Sequence, residues 1–386
     1  MIHDPNPYLS DAEFVAPARI NLLGEHTDYT GGFVMPMAIP FTTVAAVAPS
    51  SDSAHHISSE MLNESLDFAR NDHSEPRQSW TDYPVGVLRE LQSLGIDPPP
   101  FRLSLRGDIP LGSGLSSSAS VEVATALALL ALAGRSLPLE EIALLCQRAE
   151  NKFVGSPCGI MDQFVITAAL AGHALLLNTR TLDYEQLPMN TGDLACTRVI
   201  ICNSMVKHSI AAGEYGDRRR EVEVGQAILR QQYPGLTDLA DASLAQLDIC
   251  RMLMPHESFL RCRHIISENA RVLEARKAMF AGDPVVLGRL ITAAHASERD
   301  DFACSCEEVD FLVEIAAQLS GCYGARLSGG GFGGCTVNLV HQDQTETFVV
   351  QLKLAYQKRF AIQPDTYICE AVDGAIARSG KLGPAL

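Results

Sequence analysis

Side chains that can bind anions, cations and hydroxyls gather in a few short stretches of this chain. The first, APARINLLGEHTDYTGG (Ala16 to Gly32), brings Arg19, Glu25, His26, Asp28 and Tyr29 together between apolar residues. Carboxylates, an imidazole and a phenol at this density suit a polyhydroxylated ligand, because sugar hydroxyls both donate and accept. A random polar loop is the plainer alternative. The second stretch is PLGSGLSSSAS (Pro110 to Ser120). Gly112 and Gly114 allow the backbone to come close to a ligand. Ser116, Ser117, Ser118 and Ser120 add hydroxyls for phosphate oxygens or a metal. A Walker A loop would need a lysine here, but the chain's lysines lie at 152, 207, 277, 353, 358 and 381. A dinucleotide fingerprint would need glycine where Ser117 stands. The loop is of neither common type, and a structural glycine–serine turn stays open beside a phosphate cradle.

Two further stretches carry chemistry. In AENKFVGSPCGIMDQF (Ala149 to Phe164), Glu150 falls four residues after Cys146 and eight after Ile142, on the border of a helix's apolar face. Asp162 sits between Met161 and Gln163 in apolar surroundings, and a buried aspartate must be paired or functional. The types alone leave both open. SGGGFGG (Ser328 to Gly334) places five glycines around one phenylalanine, which fits a ligand contact or a sharp bulge.

The elements that must position these groups are partly legible. FRLSLR (Phe101 to Arg106) alternates as a half-buried strand. The serine loop therefore joins a strand to a helix spanning about Ala119 to Ala133, whose N-terminus favours an anion. RSLPLEEIALLCQRAENKF predicts another helix, with Ser136 as N-cap and Pro138 in its first turn. TRVIICNS, CTVNLV and TYICEAV predict strands, and residues 218 to 320 are mainly helical in pattern. Strands and helices mix without a regular βαβ repeat, so the class is α+β.

The totals set the frame. A length of 386 residues fits two or three domains. Asp plus Glu number 46 against 30 Lys plus Arg, a net charge of -16 that repels nucleic acid and anionic membranes. ATP stays admissible, since a local arginine and a magnesium ion offset that field. MIHDPNPYLSDAEF has neither the basic start nor the apolar core of a secretory signal. VATALALLALAG, from Val123, is too short to span a bilayer. Eleven cysteines lie scattered, with Cys304 and Cys306 the nearest pair and no zinc-site spacing. Reduced cysteines in a cytoplasmic protein are the expectation.

Together the stretches resemble the GHMP small-molecule kinases, and most closely the branch that phosphorylates galactose. GEHTDYTGGFVMPMAI is similar to that branch's signature, PLGSGLSSSAS to the family's second, ATP-binding motif, and LSGGGFGGCTVNLV to its third. AENKFVGSPCGIMDQF, EYGDRRREVE and SERDDFACSCEEVD match further, in the family's order and across most of the chain. The resemblance implies a two-domain α+β fold with the active site in the cleft between the domains. Residues 1–190, like the second domain of ribosomal protein S5, would hold the sugar signature and ATP loop; residues 191–386 would be ferredoxin-like. It implies transfer of the γ-phosphoryl of ATP to the anomeric hydroxyl of D-galactose, giving galactose 1-phosphate and ADP. Asp162 takes the role of catalytic base, and Arg19 stabilises its charge and that of the transferring group. Glu25, His26, Asp28, Gly159, Asp162 and Tyr215 become the sugar contacts, with Asp28 as the reader of the axial C4 hydroxyl. Gly112, Ser113, Gly114, Leu115, Ser116, Ser117 and Ser118 bind ATP, with Trp80 and Tyr83 beside the adenine. Ser118 and Glu150 hold Mg2+. A cytoplasmic monomer is implied, with no nucleic-acid or membrane partner.

The family also contains kinases for N-acetylgalactosamine, arabinose and galacturonate, and non-catalytic galactose sensors. The sensors lack a Ser-Ala step in the serine loop, whereas Ser118-Ala119 is present here. Three positions depart from the family pattern: Ala18 replaces a glycine, Asn151 a histidine, and Ser113 a glycine or alanine. Ala18 would resist a positive φ beside Arg19.

Overall fold

The computed structural model describes residues 12–110, 112–207 and 211–375. Most of the N-terminal stretch judged to lack a secretory signal lies outside them. The chain begins with β1 (Ala12–Asn21), which alternates inward through Phe14 and Ala16. β2 (Phe33–Val34) leads into the long β3 (Pro36–Pro49), which pairs antiparallel with β1. Its register shifts between Pro17 and Ala18, directly before Arg19. β4 (Ala54–Ser59), β5 (Glu64–Ala69), α1 (Asp82–Ser93) and β6 (Phe101–Gly107) follow. The resulting sheet runs β1-β3-β6-β4-β5, and only β4 and β6 pair in parallel.

β6 delivers the serine loop to α2 (Ser117–Leu132), two residues earlier than its pattern predicts. Alanine and leucine favour helix, and this one is apolar on all sides because it lies inside the molecule. Next come α3 (Leu139–Arg148) and α4 (Met161–Ala168). Ser136 is not the cap of α3: Pro138 is, with φ -53° and ψ 151°. The residue before a proline avoids helical backbone, so the helix waits until the proline has passed. α3 ends in a widened π turn, Ala149–Val154. α2 and α4 lie against β1 and β3, while α1 and α3 pack on α2.

β7 (His173–Asn178) and β8 (Tyr184–Pro188) pair with β2 in a small sheet, and β9 (Thr197–Lys207) opens another. The helices α5 (Ala211–Gln232), α6 (Leu244–Ile249), α7 (His256–Ala281), α8 (Pro284–Ser297) and α9 (Glu307–Gln318) fill the predicted helical region. β10 (Cys322–Ser328), β11 (Gly333–His341), α10 (Thr345–Phe360) and β12 (Asp365–Cys369) close the described chain. The second large sheet runs β10-β11-β9-β12, all antiparallel. Ala18, Ile20, Met37 and Ile39 of the first sheet share one buried cluster with Ile201, Val337 and Leu339 of the second. Continuous packing between the sheets fixes the angle at which their loops meet. The expected α+β architecture is met.

Candidate active site

Arg19 and Asp162 lie 143 residues apart in the chain and meet face to face. Nε donates to Oδ1 and Nη2 to Oδ2, each at 2.7 Å, a two-pronged pair of the stronger hydrogen-bonded kind. The remaining nitrogen, Nη1, donates to the Gly114 carbonyl at 2.7 Å. Burial disfavours the Arg19 cation, but Asp162, helped by Glu25 and Asp28, outweighs it and raises its pKa. Ala18 extends along β1 within the core, so no left-handed backbone is required of it.

The serine loop divides its labour. Gly114 is left-handed, with φ 78°. Ser116 is left-handed too, at φ 61°, and this uncommon backbone for a serine aims its hydroxyl at Asp162 Oδ2. Ser113 turns inward, donating to the Pro110 carbonyl at 2.7 Å. The Leu115 side chain belongs to the core, and only its carbonyl serves the site, accepting from the Arg19 N–H at 3.2 Å. Gly112 is exposed. Ser117 and Ser118 face a cavity with Trp80, Tyr83, Leu62, Leu105 and Ile109 on its walls. Apolar walls beside a helix N-terminus are what a base and its phosphates require. Trp80 Nε1 donates to Glu64 at 2.6 Å, which fixes the indole plane. Burial pushes the Tyr83 phenol up to about 12.

Glu150 sits in the π turn after α3. Its carboxylate accepts from Ser118, from Cys158, and from Gln163 Nε2 at 2.7 Å. Burial, then Asp162, push it up to about 7. Gln163 also donates to Glu122 at 3.0 Å, a carboxylate wholly buried in α2. Asn151 grips the following loop. Its Oδ1 accepts from the Cys158 N–H at 2.6 Å and its Nδ2 donates to the Cys158 carbonyl at 3.2 Å.

On the other side of Asp162 lie the expected sugar contacts. His26 is held at φ 64° and stacks on Phe302 with centroids 4.0 Å apart. Burial, with His264 nearby, keeps it neutral, well below the usual histidine range. Its buried Nε2 has no partner within the described protein and can meet a ligand hydroxyl. Asp28 is packed so closely against Gly159 that a Cβ there would lie 1.9 Å from Oδ2. Burial, then Asp162 and Glu25, push Asp28 up to about 7. Tyr215 lies 5.7 Å from His26, ring to ring, and beside Gly330. Glu25 accepts from the Gly329 N–H at 2.8 Å, which ties the first glycine–acid stretch to the last glycine cluster. A side chain at Gly331 would strike the Cys304 carbonyl at 2.3 Å, so that cluster's density reflects close packing as well as access.

The structure thus brings most of the predicted residues to one region: sugar-type groups and the serine loop both meet Asp162 and Arg19, and an apolar pocket lies beside Ser117 and Ser118, while Gly112 is exposed. Sequence reasoning missed the hydroxyl of Ser116 on Asp162, the Glu122–Gln163 support, the Asn151 clamp and Phe302 under His26. A buried arginine, Arg326, also escaped it. The one signal for Arg326 was a lone charge in the apolar strand before SGGGFGG.

Fold and site have the form of a GHMP kinase. Residues 82–172 match the GHMP kinases N terminal domain and residues 275–358 the GHMP kinases C terminal domain. Residues 8–49 match the galactokinase galactose-binding signature. A galactokinase of Roseiflexus sp. (strain RS-1) is 40% identical over 93% of this chain and 91% of its own. The Homo sapiens galactokinase is 38% identical over 93% and 90%. The crystal structure of Lactococcus lactis galactokinase complexed with galactose matches with a TM-score of 0.88 at 32% identity, covering 94% of each chain. The chain belongs to the galactokinase family.

Proposed function

We propose that the chain transfers the γ-phosphoryl group of ATP to the anomeric hydroxyl of D-galactose, giving galactose 1-phosphate and ADP. The single observation that carries this is the Arg19–Asp162 pair, set between a serine-lined helix start and the Glu25, His26 and Asp28 cluster. In this reading Asp162 takes the proton of the attacking hydroxyl, a contribution of about 10²–10⁴-fold. Arg19 keeps the Asp162 oxygens in place and offers a fixed cation to the phosphoryl group. Glu25, His26, Asp28, Gly159 and Tyr215 hold the sugar. Gly112 to Ser118 hold the phosphates, and Trp80 with Tyr83 flank the adenine. Glu150 and Ser118 would hold Mg2+, since carboxylate and hydroxyl are hard oxygen donors that suit it. When bound, that ion neutralises the polyphosphate. Among the described residues no group of three acidic, histidine or cysteine side chains is placed to hold a metal ion by itself.

Residues 1–190 and 191–386 are proposed as the two domains. A cytoplasmic monomer is proposed as the working form; the eleven unpaired cysteines favour a reducing compartment. Among the described residues, no helix is long and apolar enough to cross a membrane. The test is a panel of sugars with ATP, read by ADP release. Galactose is expected to lead, with glucose poor because its C4 hydroxyl leaves a buried acceptor unpaired. Preference for N-acetylgalactosamine, arabinose or galacturonate would replace the substrate, and no ADP release with any sugar would favour a sensor.

A further inference from the structure

Behind the sugar flank, Glu25 is joined to a knot of buried charge that the proposed reaction does not otherwise use. Arg326, on β10, is wholly buried with Glu268 and Glu298, and Glu25 is nearly so. Each of its nitrogens is engaged. Nε donates to the Leu327 carbonyl at 2.6 Å and Nη1 to the Leu22 carbonyl at 3.0 Å. Nη2 lies 2.7 Å from Glu25 Oε1 and 3.0 Å from Glu298 Oε1. These are ion-pair distances, with the N–H directions out of line for hydrogen bonds. The Gly329 N–H donates to the same oxygen, Glu25 Oε1. The backbone of this stretch is held as well: Gly24 N–H donates to Glu268 at 2.7 Å, and His264 Nε2 lies 3.2 Å from the Glu25 carbonyl.

We propose that Arg326 is a positioning residue for the sugar, fixing Glu25 through Oε1 so that Oε2 is presented to the substrate. The inference rests on the galactose reading of the site. The charges around it are unequal, with three carboxylates facing Arg326 and Arg271. Burial, then Glu25 and Glu268, raise Glu298 well above the ordinary carboxylate range. Burial also favours the neutral acid at Glu268, but Arg271, His264 and Arg326 override it and lower its pKa. Of the three carboxylates, Glu25 lies nearest the guanidinium, at 2.7 Å against 3.0 Å for Glu298 and 3.9 Å for Glu268. A lysine ammonium is a point donor and cannot reach Leu22, Leu327 and Glu25 from one centre.

The experiment is Arg326→Lys, with galactose KM, ATP KM and kcat measured separately and folding checked by circular dichroism. Parent activity on galactose is recorded first, and its absence would sink the proposed function and this inference with it. With an active parent, galactose KM should rise about tenfold or more, while ATP KM and kcat change little. In a Glu25→Gln background the same substitution should lose most of that effect. Galactose KM near the parental value in a folded variant, or an equal rise for both substrates, would overturn the assignment of Arg326 alone. If the lysine variant does not fold, the double variant R326Q/E298Q reads the same split. Failure of both to fold would make Arg326 a core residue and end the proposal.

Discussion

At the scale of single residues, Asp162 is bound on both oxygens before any substrate arrives. Arg19 takes one bond to each, and Ser116 adds its hydroxyl to Oδ2. A carboxylate so fixed loses little freedom when it meets a hydroxyl, which is what positioning demands. Asp162→Asn keeps the shape and removes the base. We expect kcat to fall about 100-fold or more with galactose KM close to the parent's. A turnover like the parent's in steady-state kinetics would remove Asp162 from that role. Ser116 separates two assignments. Its place in the ATP motif implies phosphate contact, whereas its hydroxyl points to Asp162. Loss of a hydrogen bond to a charged group is worth about tenfold or more, so Ser116→Ala should lower kcat by that order with ATP KM nearly unchanged. A raised ATP KM at normal kcat would return Ser116 to the phosphates.

At the scale of elements, the site depends on turns that hold side chains in unusual attitudes. The π turn after α3 carries Glu150 and Asn151, and a second one, Glu298–Phe302, carries Glu298 and the Phe302 that supports His26. Such widened turns recur at functional sites because they re-aim side chains within a helix. The loop between the first π turn and α4 is clamped by Asn151 and pressed against Asp28 at Gly159. Gly159→Ala should therefore push the loop or Asp28 aside. Overpacking costs about 1–3 kcal/mol, so galactose KM should rise roughly 5- to 150-fold, and a variant with parental galactose KM would show that the loop yields freely. Much of this framework was legible. Alternation in FRLSLR marked β6, the apolar run marked α2, and residues of separate motifs meet at Asp162. The misses have physical causes. Pro138 set the start of α3 by backbone sterics, where a serine cap was expected. Ser116 owes its direction to a left-handed φ that no serine advertises. Arg326 meets Glu25 across 301 positions of chain, and only tertiary packing brings those two together.

At the scale of the whole molecule, the buried ionisable groups predict how stability follows pH. Burial pushes Asp28 up to about 7 and raises Glu122 and Glu298 well above the usual range. Each then binds a proton in the folded state that the unfolded chain has released. Raising the pH from about 4 through the folded pKa values therefore draws the equilibrium toward unfolding. Three histidines act the other way at lower pH. Burial lowers His55 and His264 to about 4 and His26 well below the usual range. They cost stability as pH falls below about 6.5, where unfolded histidine takes up a proton. The two trends oppose one another up to that point. Above it the histidine contribution is constant, while the carboxylates, joined near pH 8 by buried cysteines such as Cys146 and Cys304 whose pKa burial also raises, act in one direction. The net charge of -16 adds self-repulsion in the same direction. The ligand-free protein should therefore lose Tm between pH 6.5 and 8, by roughly 3–5 °C per unit for two or three such groups. Asp28 opens partly onto the site, so water weakens its share, and Asp28→Asn should flatten the slope without abolishing it. Calorimetry across that window decides the matter: a Tm that climbs with pH would mean that these carboxylates are already ionised in the folded protein.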